Sequence, residues 1–318
     1  MSYSRFILMG MSMLLLSSQA LASSHFFSLF NATSRENTGR LETSLDSGAY
    51  SQKLNHFDPL DSRTLSERFA IYTDFAGSHL ESAPVVYYFC GEWACTESDR
   101  LSQVPGAIAN YARALSAVVV VIEHRYYGQS KPFQDISPEH MKYLSYEQAL
   151  EDFSDFENYA KERYQLRGKW IAVGGSYPGA LSAYFRAFHP EQVVGALSSS
   201  GVVKAITAFE SYDKKVADAL GPICLLAVQN ATHQIEASLH DQNRFQSMKT
   251  LFNANDITDP PELLELIANA ADSAVQYGLE SSFCSDVLSE DPLQGLSKAS
   301  QNINHLLAHP GSPSDDES

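Results

Sequence analysis

Apolar positions along this chain follow three patterns: they alternate, they run together, and they recur at helical spacing. Arg68-Phe-Ala-Ile-Tyr-Thr73 has the two-residue period of a strand. Pro84-Val-Val-Tyr-Tyr-Phe89 is a short apolar run ending at Cys90-Gly91, and Ala117-Val-Val-Val-Val-Ile-Glu123 is almost wholly apolar. Between those two runs, Val104 to Leu115 has helical spacing. Ser145 with Gln148 reads as a capping box for a helix that lines up Tyr146, Ala149, Leu150, Phe153, Phe156 and Tyr159. A strand at Trp170 to Val173, a helix at Ala180 to Phe188 and a strand at Val193 to Leu197 follow. Strands apolar on both faces, alternating with helices, predict an α/β core built on a parallel sheet. After about Gly201 the periodicity becomes helical, in Val216 to Val228, Gln234 to Leu251 and Pro261 to Tyr277, with no convincing strand. This predicts a helical layer added to the sheet.

The two ends differ from the middle. Arg5 precedes the apolar stretch Phe6 to Leu16, and Ala20-Leu21-Ala22 offers a small-residue cleavage site, so residues 1–22 read as a signal peptide. The apolar stretch is shorter than the ~20 residues a membrane-spanning helix needs. The predicted organisation is therefore a signal peptide at 1–22, a polar arm at 23–46, an α/β core at 47–205, a helical domain at 206–309 and an acidic, disordered tail at 310–318. At 318 residues and 44% hydrophobic, the chain is long enough to bury a sizeable core. Its net charge of -16 becomes 21 - 38 = -17 once Arg5 leaves with the signal peptide, which argues against nucleic acid and anionic membranes as partners. The expected setting is a secreted, periplasmic or lysosomal-type compartment.

Such compartments permit disulfides, and four cysteines are present, Cys90, Cys95, Cys224 and Cys284. Cys90 with Cys95 and Cys224 with Cys284 is the favoured pairing, because each pair falls within one predicted substructure; buried free thiols are the alternative. No Cys/His spacing suggests a metal site, and no cofactor is expected. Asn31-Ala-Thr33 and Asn230-Ala-Thr232 fit the glycosylation acceptor pattern.

Candidate chemistry concentrates in Trp170-Ile-Ala-Val-Gly-Gly-Ser176-Tyr-Pro-Gly179. A buried strand that breaks at Gly174 and Gly175, presents a serine and starts a helix is a nucleophile elbow. A hydroxyl is a poor nucleophile unless backbone N–H groups stand ready for the oxyanion formed on attack, and Tyr177 N–H is placed to be one. A second donor is expected from the loop after an earlier strand, where Gly91 and Glu92 are candidates. Glu92 is open to another role, receiving a positive group of a substrate. Glu123-His-Arg-Tyr-Tyr-Gly-Gln-Ser130 also follows a buried strand and is dense in charged and aromatic residues. His124 reads there as a structural or pocket residue, since this fold places its base after the nucleophile. His189, His233, His240, His305 and His309 follow Ser176, yet none lies in a short loop after a strand.

Together these residues resemble the serine carboxypeptidase S28 family. The similar stretches are Gln52-Lys-Leu-Asn-His-Phe-Asp58, Gly91-Glu92, Glu123 to Ser130, Tyr143-Leu-Ser-Tyr-Glu-Gln-Ala149, Gly174-Gly-Ser-Tyr-Pro-Gly179, Val193 to Ser200, and Ala274-Val-Gln-Tyr-Gly278 with Phe283-Cys284. The resemblance covers about residues 50 to 290. It implies an exported serine exopeptidase with an α/β-hydrolase core and a helical cap, cleaving peptides next to proline by way of an acyl-enzyme. It further implies that Ser176 is the nucleophile and that Tyr177 serves the oxyanion. The family's catalytic Asp and His lie in strands beyond the cap, which this chain does not contain. The expectation is a truncated product, or one completed by a partner chain, with little activity of its own. A non-catalytic peptide-binding protein is the alternative, and a homodimer is left open.

Overall fold

The computed structural model describes residues 44–92, 94 and 106–308. The expected signal peptide, most of the arm, Asn31, Cys95, Val104, His309 and the acidic tail lie outside the described residues. Two units divide between Ala205 and Ile206.

The first unit is a six-stranded sheet. Its strands are β1 (Ser44–Lys53), β2 (Thr64–Tyr72), β3 (Val85–Phe89), β4 (Val118–Ile122), β5 (Trp170–Gly175) and β6 (Gly195–Ser199), in the order β1-β2-β4-β3-β5-β6. From β4 to β6 the pairs are parallel, as the apolar runs predict. The β1 edge departs from that expectation: β1 pairs antiparallel with β2, and β2 antiparallel with β4. Only the segment 54–63 joins β1 to β2, which suits a hairpin and is too short for the crossover a parallel pair requires. β1 also begins at Ser44, inside the stretch expected to be an arm. Its polar residues gave no strand signal.

Every residue of β3 and β4 is buried. On one face, Tyr87, Phe89, Val120 and Ile122 pack with Phe153 and Phe156 of α3 (Tyr146–Arg163) and Leu181 and Phe185 of α4 (Tyr177–Phe188), where α1 is Gly106–Leu115 and α2 is Pro138–Met141. Phe89 stacks on Phe153 with ring centroids 4.1 Å apart, and Tyr87 donates its hydroxyl to Phe153 O at 2.9 Å. Each such aromatic, fully buried, contributes roughly 2 to 3 kcal/mol by area removed from water. The capping box is half made. Ser145 Oγ accepts from Gln148 N at 3.3 Å, whereas the Gln148 amide turns away to accept from His56 N at 2.9 Å and donate to Asn55 Oδ1 at 2.7 Å.

That diversion belongs to a buried polar hub. All five N–H groups of the fully buried Arg125 are engaged: Nε and Nη2 fork onto Asp152 at 2.6 and 2.8 Å, and Nη1 and Nη2 reach Leu54 O, Tyr143 O and Lys53 O at 3.0, 2.9 and 3.2 Å. His56 Nε2 lies 2.7 Å from Asp152 Oδ1, and Gln52 Nε2 donates to Glu67 Oε2 and Asp152 O. A paired, fully bonded guanidinium is the condition under which a charge can be buried.

The second unit is helical: α5 (Glu210–Glu236), α6 (Gln242–Leu251), α7 (Pro260–Gln276), α8 (Glu280–Val287) and α9 (Pro292–Ala308). Leu220, Ile235, Leu263, Ile267, Phe283, Leu296 and Ile303 are among its core residues. Two expected helices correspond to different bounds. α5 continues to Glu236 across a kink where Gly221 takes φ 72° ahead of Pro222, and the helix expected from Gln234 starts at Gln242 because Asp241 caps it, accepting from Arg244 N at 2.9 Å. Cys224 of α5 and Cys284 of α8 are joined by a disulfide, as the pairing predicts. Cys90 is also disulfide-bonded, while Cys95, its expected partner, lies outside the described residues.

Candidate active site

The elbow is built from backbone outward. β5 ends at Gly175 and α4 begins at Tyr177, so one residue makes the whole turn, and Ser176 makes it at φ 62°, ψ -126°. For a residue with a Cβ that conformation costs on the order of 1 to 3 kcal/mol and persists only where surroundings enforce it. Here Ser176 N donates to Ser199 O at 2.9 Å and Ala180 N donates to Ser176 O at 3.1 Å. Pro178 occupies the first helical turn, where its missing N–H costs nothing. Three glycines give the turn its room. A Cβ on Gly174 would lie 2.1 Å from Pro178 O; one on Gly179 would lie 2.7 Å from Ser199 O; and one on Gly201 would lie 2.9 Å from the Gly179 carbonyl carbon. Gly175, expected to matter equally, has nothing nearer than Ser199 O at 3.9 Å.

Ser176 is partly exposed, and α4 receives no side-chain cap from it. Among the described residues no side chain hydrogen-bonds its hydroxyl. The parallel register of β3 and β5 brings the second candidate loop alongside. Tyr88 pairs with Val173, and three residues further on stand Gly91 and Ser176. Gly91 is buried and Glu92 partly so. Burial pushes the Glu92 carboxyl above the usual carboxylate range. Its charge, after burial, helps raise the phenols of Tyr88, Tyr127 and Tyr177, the second to about 12. Glu92, Tyr127 and Tyr177 therefore share one electrostatic neighbourhood beside the elbow.

The Glu123 to Ser130 block is mostly scaffolding. Glu123 Oε2 accepts from Gln129 N, Ser130 N and Ser130 Oγ at 3.0, 3.1 and 2.7 Å, closing the loop on itself. His124 turns toward the elbow, where its Nε2 lies 3.0 Å from the Tyr177 hydroxyl. Sequence patterns alone gave no sign of this pair, since the two residues are 53 positions apart. His189 ends α4 and lies 3.5 Å from Glu151, while His233 lies 3.3 Å from Glu236 of its own helix. Neither is drawn to Ser176.

A mixed sheet in the order 1-2-4-3-5-6, with a serine elbow after its fifth strand, defines an α/β-hydrolase core. Residues 52–295 match the family model for serine carboxypeptidase S28, and the chain belongs to that family. It is 35% identical over 249 residues to the Arabidopsis thaliana "Probable serine protease EDA2", covering 74% of this chain and 48% of that protein. It is 31% identical over 236 residues to the "Probable extracellular serine carboxypeptidase" of Arthroderma benhamiae, covering 70% and 32%. The mouse lysosomal Pro-X carboxypeptidase is 34% identical over 165 residues, covering 48% and 31%. The chain thus spans about half the length, or less, of the curated relatives it matches. Among solved structures, the iron-lacking apo form of ESTFA aligns at a TM-score of 0.36 and 18% identity over 62% of this chain and 58% of that one, too slight a likeness to argue from.

Proposed function

We propose that this chain carries the nucleophile and oxyanion site of an exported serine-type exopeptidase that cleaves peptides next to proline. The supporting observation is Ser176 at φ 62° between a parallel strand and a helix N-terminus. In the proposed reaction Ser176 Oγ adds to the scissile carbonyl as its proton passes to a histidine base, which the family resemblance places with its aspartate beyond the helical unit, and the oxyanion is held by Tyr177 N–H and an amide of the Gly91 loop. The C–N bond then breaks as that base gives the proton to the leaving amine. Water attacks the resulting ester, releasing the acid and restoring the hydroxyl. Glu92 is proposed to line the substrate side of the cleft. The names of the mouse and Arthroderma relatives support proline-adjacent cleavage and an extracellular or lysosomal setting. Among the described residues no helix is long and apolar enough to cross a membrane.

Reaction of the full chain with a fluorophosphonate probe tests the assignment. Slow label on Ser176, abolished in Ser176→Ala, is the expected result for a chain with little activity of its own, and a complete homologous protein should label at the matching serine and prefer prolyl peptides over short acyl esters. Peptide binding without label, unaltered in Ser176→Ala, would instead mark a non-catalytic peptide-binding protein.

A further inference from the structure

Given the reading of Ser176 as nucleophile, on which it rests, we propose that His124 is a positioning residue for the elbow: it grips the Tyr177 hydroxyl and thereby fixes the first turn of α4 that carries the oxyanion N–H. The need for such a grip follows from the chemistry. A helix normally secures its first turn through a side-chain cap, and serine is among the best caps. Ser176 stands at the cap position of α4 yet makes no cap hydrogen bond. Its hydroxyl is thus left for reaction, and the turn must be held by other means.

The ring of His124 is suited to hold it. His124 is 0% exposed. Its Nδ1 lies 2.7 Å from Arg125 O, and a carbonyl oxygen only accepts, so Nδ1 carries the ring proton. Burial holds the imidazolium down to about 4, so at neutral pH the ring bears that proton alone. Nε2 is then an acceptor, and the Tyr177 O–H, 3.0 Å away, donates to it. The ring is wedged edge-on against Tyr127 and Phe153 at 5.4 and 6.2 Å. The carbonyl it leans on belongs to Arg125, whose guanidinium is immobilised by the Asp152 fork and three backbone carbonyls. A rigid line therefore runs from Asp152 through Arg125 and His124 to the residue after the nucleophile.

The test compares His124→Leu, His124→Gln, Tyr177→Phe and the Leu/Phe double variant of the full chain. Glutamine keeps an acceptor where Nε2 stood and leucine does not. Two quantities are read: the rate of fluorophosphonate labelling at Ser176, and amide exchange over residues 176–180 relative to β4 amides. A net buried hydrogen bond corresponds to about tenfold. His124→Leu and Tyr177→Phe should each slow labelling and speed local exchange about tenfold. The double variant should be no worse than either single one, and His124→Gln should stay near the parent. Multiplying effects in the double variant, or glutamine behaving like leucine, would overturn the proposal. The nucleophile reading fails if a complete homologous protein never labels at the matching serine; if the parent chain never labels, local exchange alone decides the positioning role, and unchanged exchange in His124→Leu refutes it. Should His124→Leu not fold, Tyr177→Phe decides through the His124 Nε2 nitrogen resonance. A shift as the bond is lost is expected, and an unmoved resonance refutes the role.

Discussion

At the elbow, the space for one methyl group separates two adjacent glycines. Gly174→Ala would drive its Cβ to 2.1 Å from Pro178 O, a backbone atom that cannot yield, whereas Gly175→Ala meets only ordinary contact at 3.9 Å. Urea unfolding should show Gly174→Ala destabilised by more than about 2 kcal/mol and Gly175→Ala changed by under about 1 kcal/mol. Equal losses would contradict the geometry. Both glycines look alike in sequence, because the pattern reveals that a turn is cramped and not which carbonyl crowds it. Gly201 could not be found at all, since its partner Gly179 lies far back in the chain. Glu157 supplies a second residue-scale test. It is fully buried, with Lys161 Nζ 2.5 Å from Oε1, and burial lifts its carboxyl to about 7 against the usual 4.5. A raised acid binds its proton more tightly when folded, so the contribution of Glu157 to stability is fully present below pH about 4.5 and is lost as pH rises through about 7, by something on the order of 3 kcal/mol. Glu157→Gln should flatten stability between those pH values; a profile as steep as the parent's would assign the slope elsewhere.

Elements were most legible where a strong periodicity met a recognisable stop. β3, β4, β5 and α3 follow from apolar runs and a serine cap. β1 did not announce itself, because it lies at the sheet edge and its outward residues are polar. The half-made cap at Ser145 has a similar cause: Gln148 has the right spacing to close the box, but a distant bond to Asn55 and His56 claims its amide. In the helical unit, the Cys224–Cys284 bond spans 60 residues and joins α5 to α8. Loop closure of that length corresponds to roughly 4 kcal/mol in the chain-entropy model. Replacing both cysteines by serine should lower the midpoint of helical unfolding, followed by circular dichroism in urea, and reductant should shift that midpoint less in the double variant, which keeps only the Cys90 bond, than in the parent. An equal shift in parent and double variant would place the effect at the Cys90 bond.

Across the whole sheet unit, sequence reading recovered the parallel core and the strand-to-helix turn at Ser176 because both are local patterns. It missed the hub that joins the signature stretches, since Arg125 donates to a carbonyl 71 positions away and Asp152 O accepts from an amide 100 positions away. Those stretches look like chemistry when read one at a time, and they are largely a shared buried scaffold. One edge of the sheet remains open among the described residues: β6 pairs only with β5, and Leu197 and Val194 are 38% and 58% exposed. An apolar edge with free backbone groups invites association. Leu197→Lys should therefore raise the concentration at which light scattering first detects self-association, and no change would show the edge to be otherwise guarded.

The Arg125 hub also bears on how such a gene can be cut and rejoined. A crossover placed between codons 125 and 152 would take the guanidinium from one parent and position 152 from the other, leaving a chimera with a stranded cation in its interior unless both parents supply the carboxylate. A crossover at the junction of Ala205 and Ile206 severs none of these bonds. Viable hybrids between relatives should therefore inherit the segment from Arg125 to Asp152 as a single block.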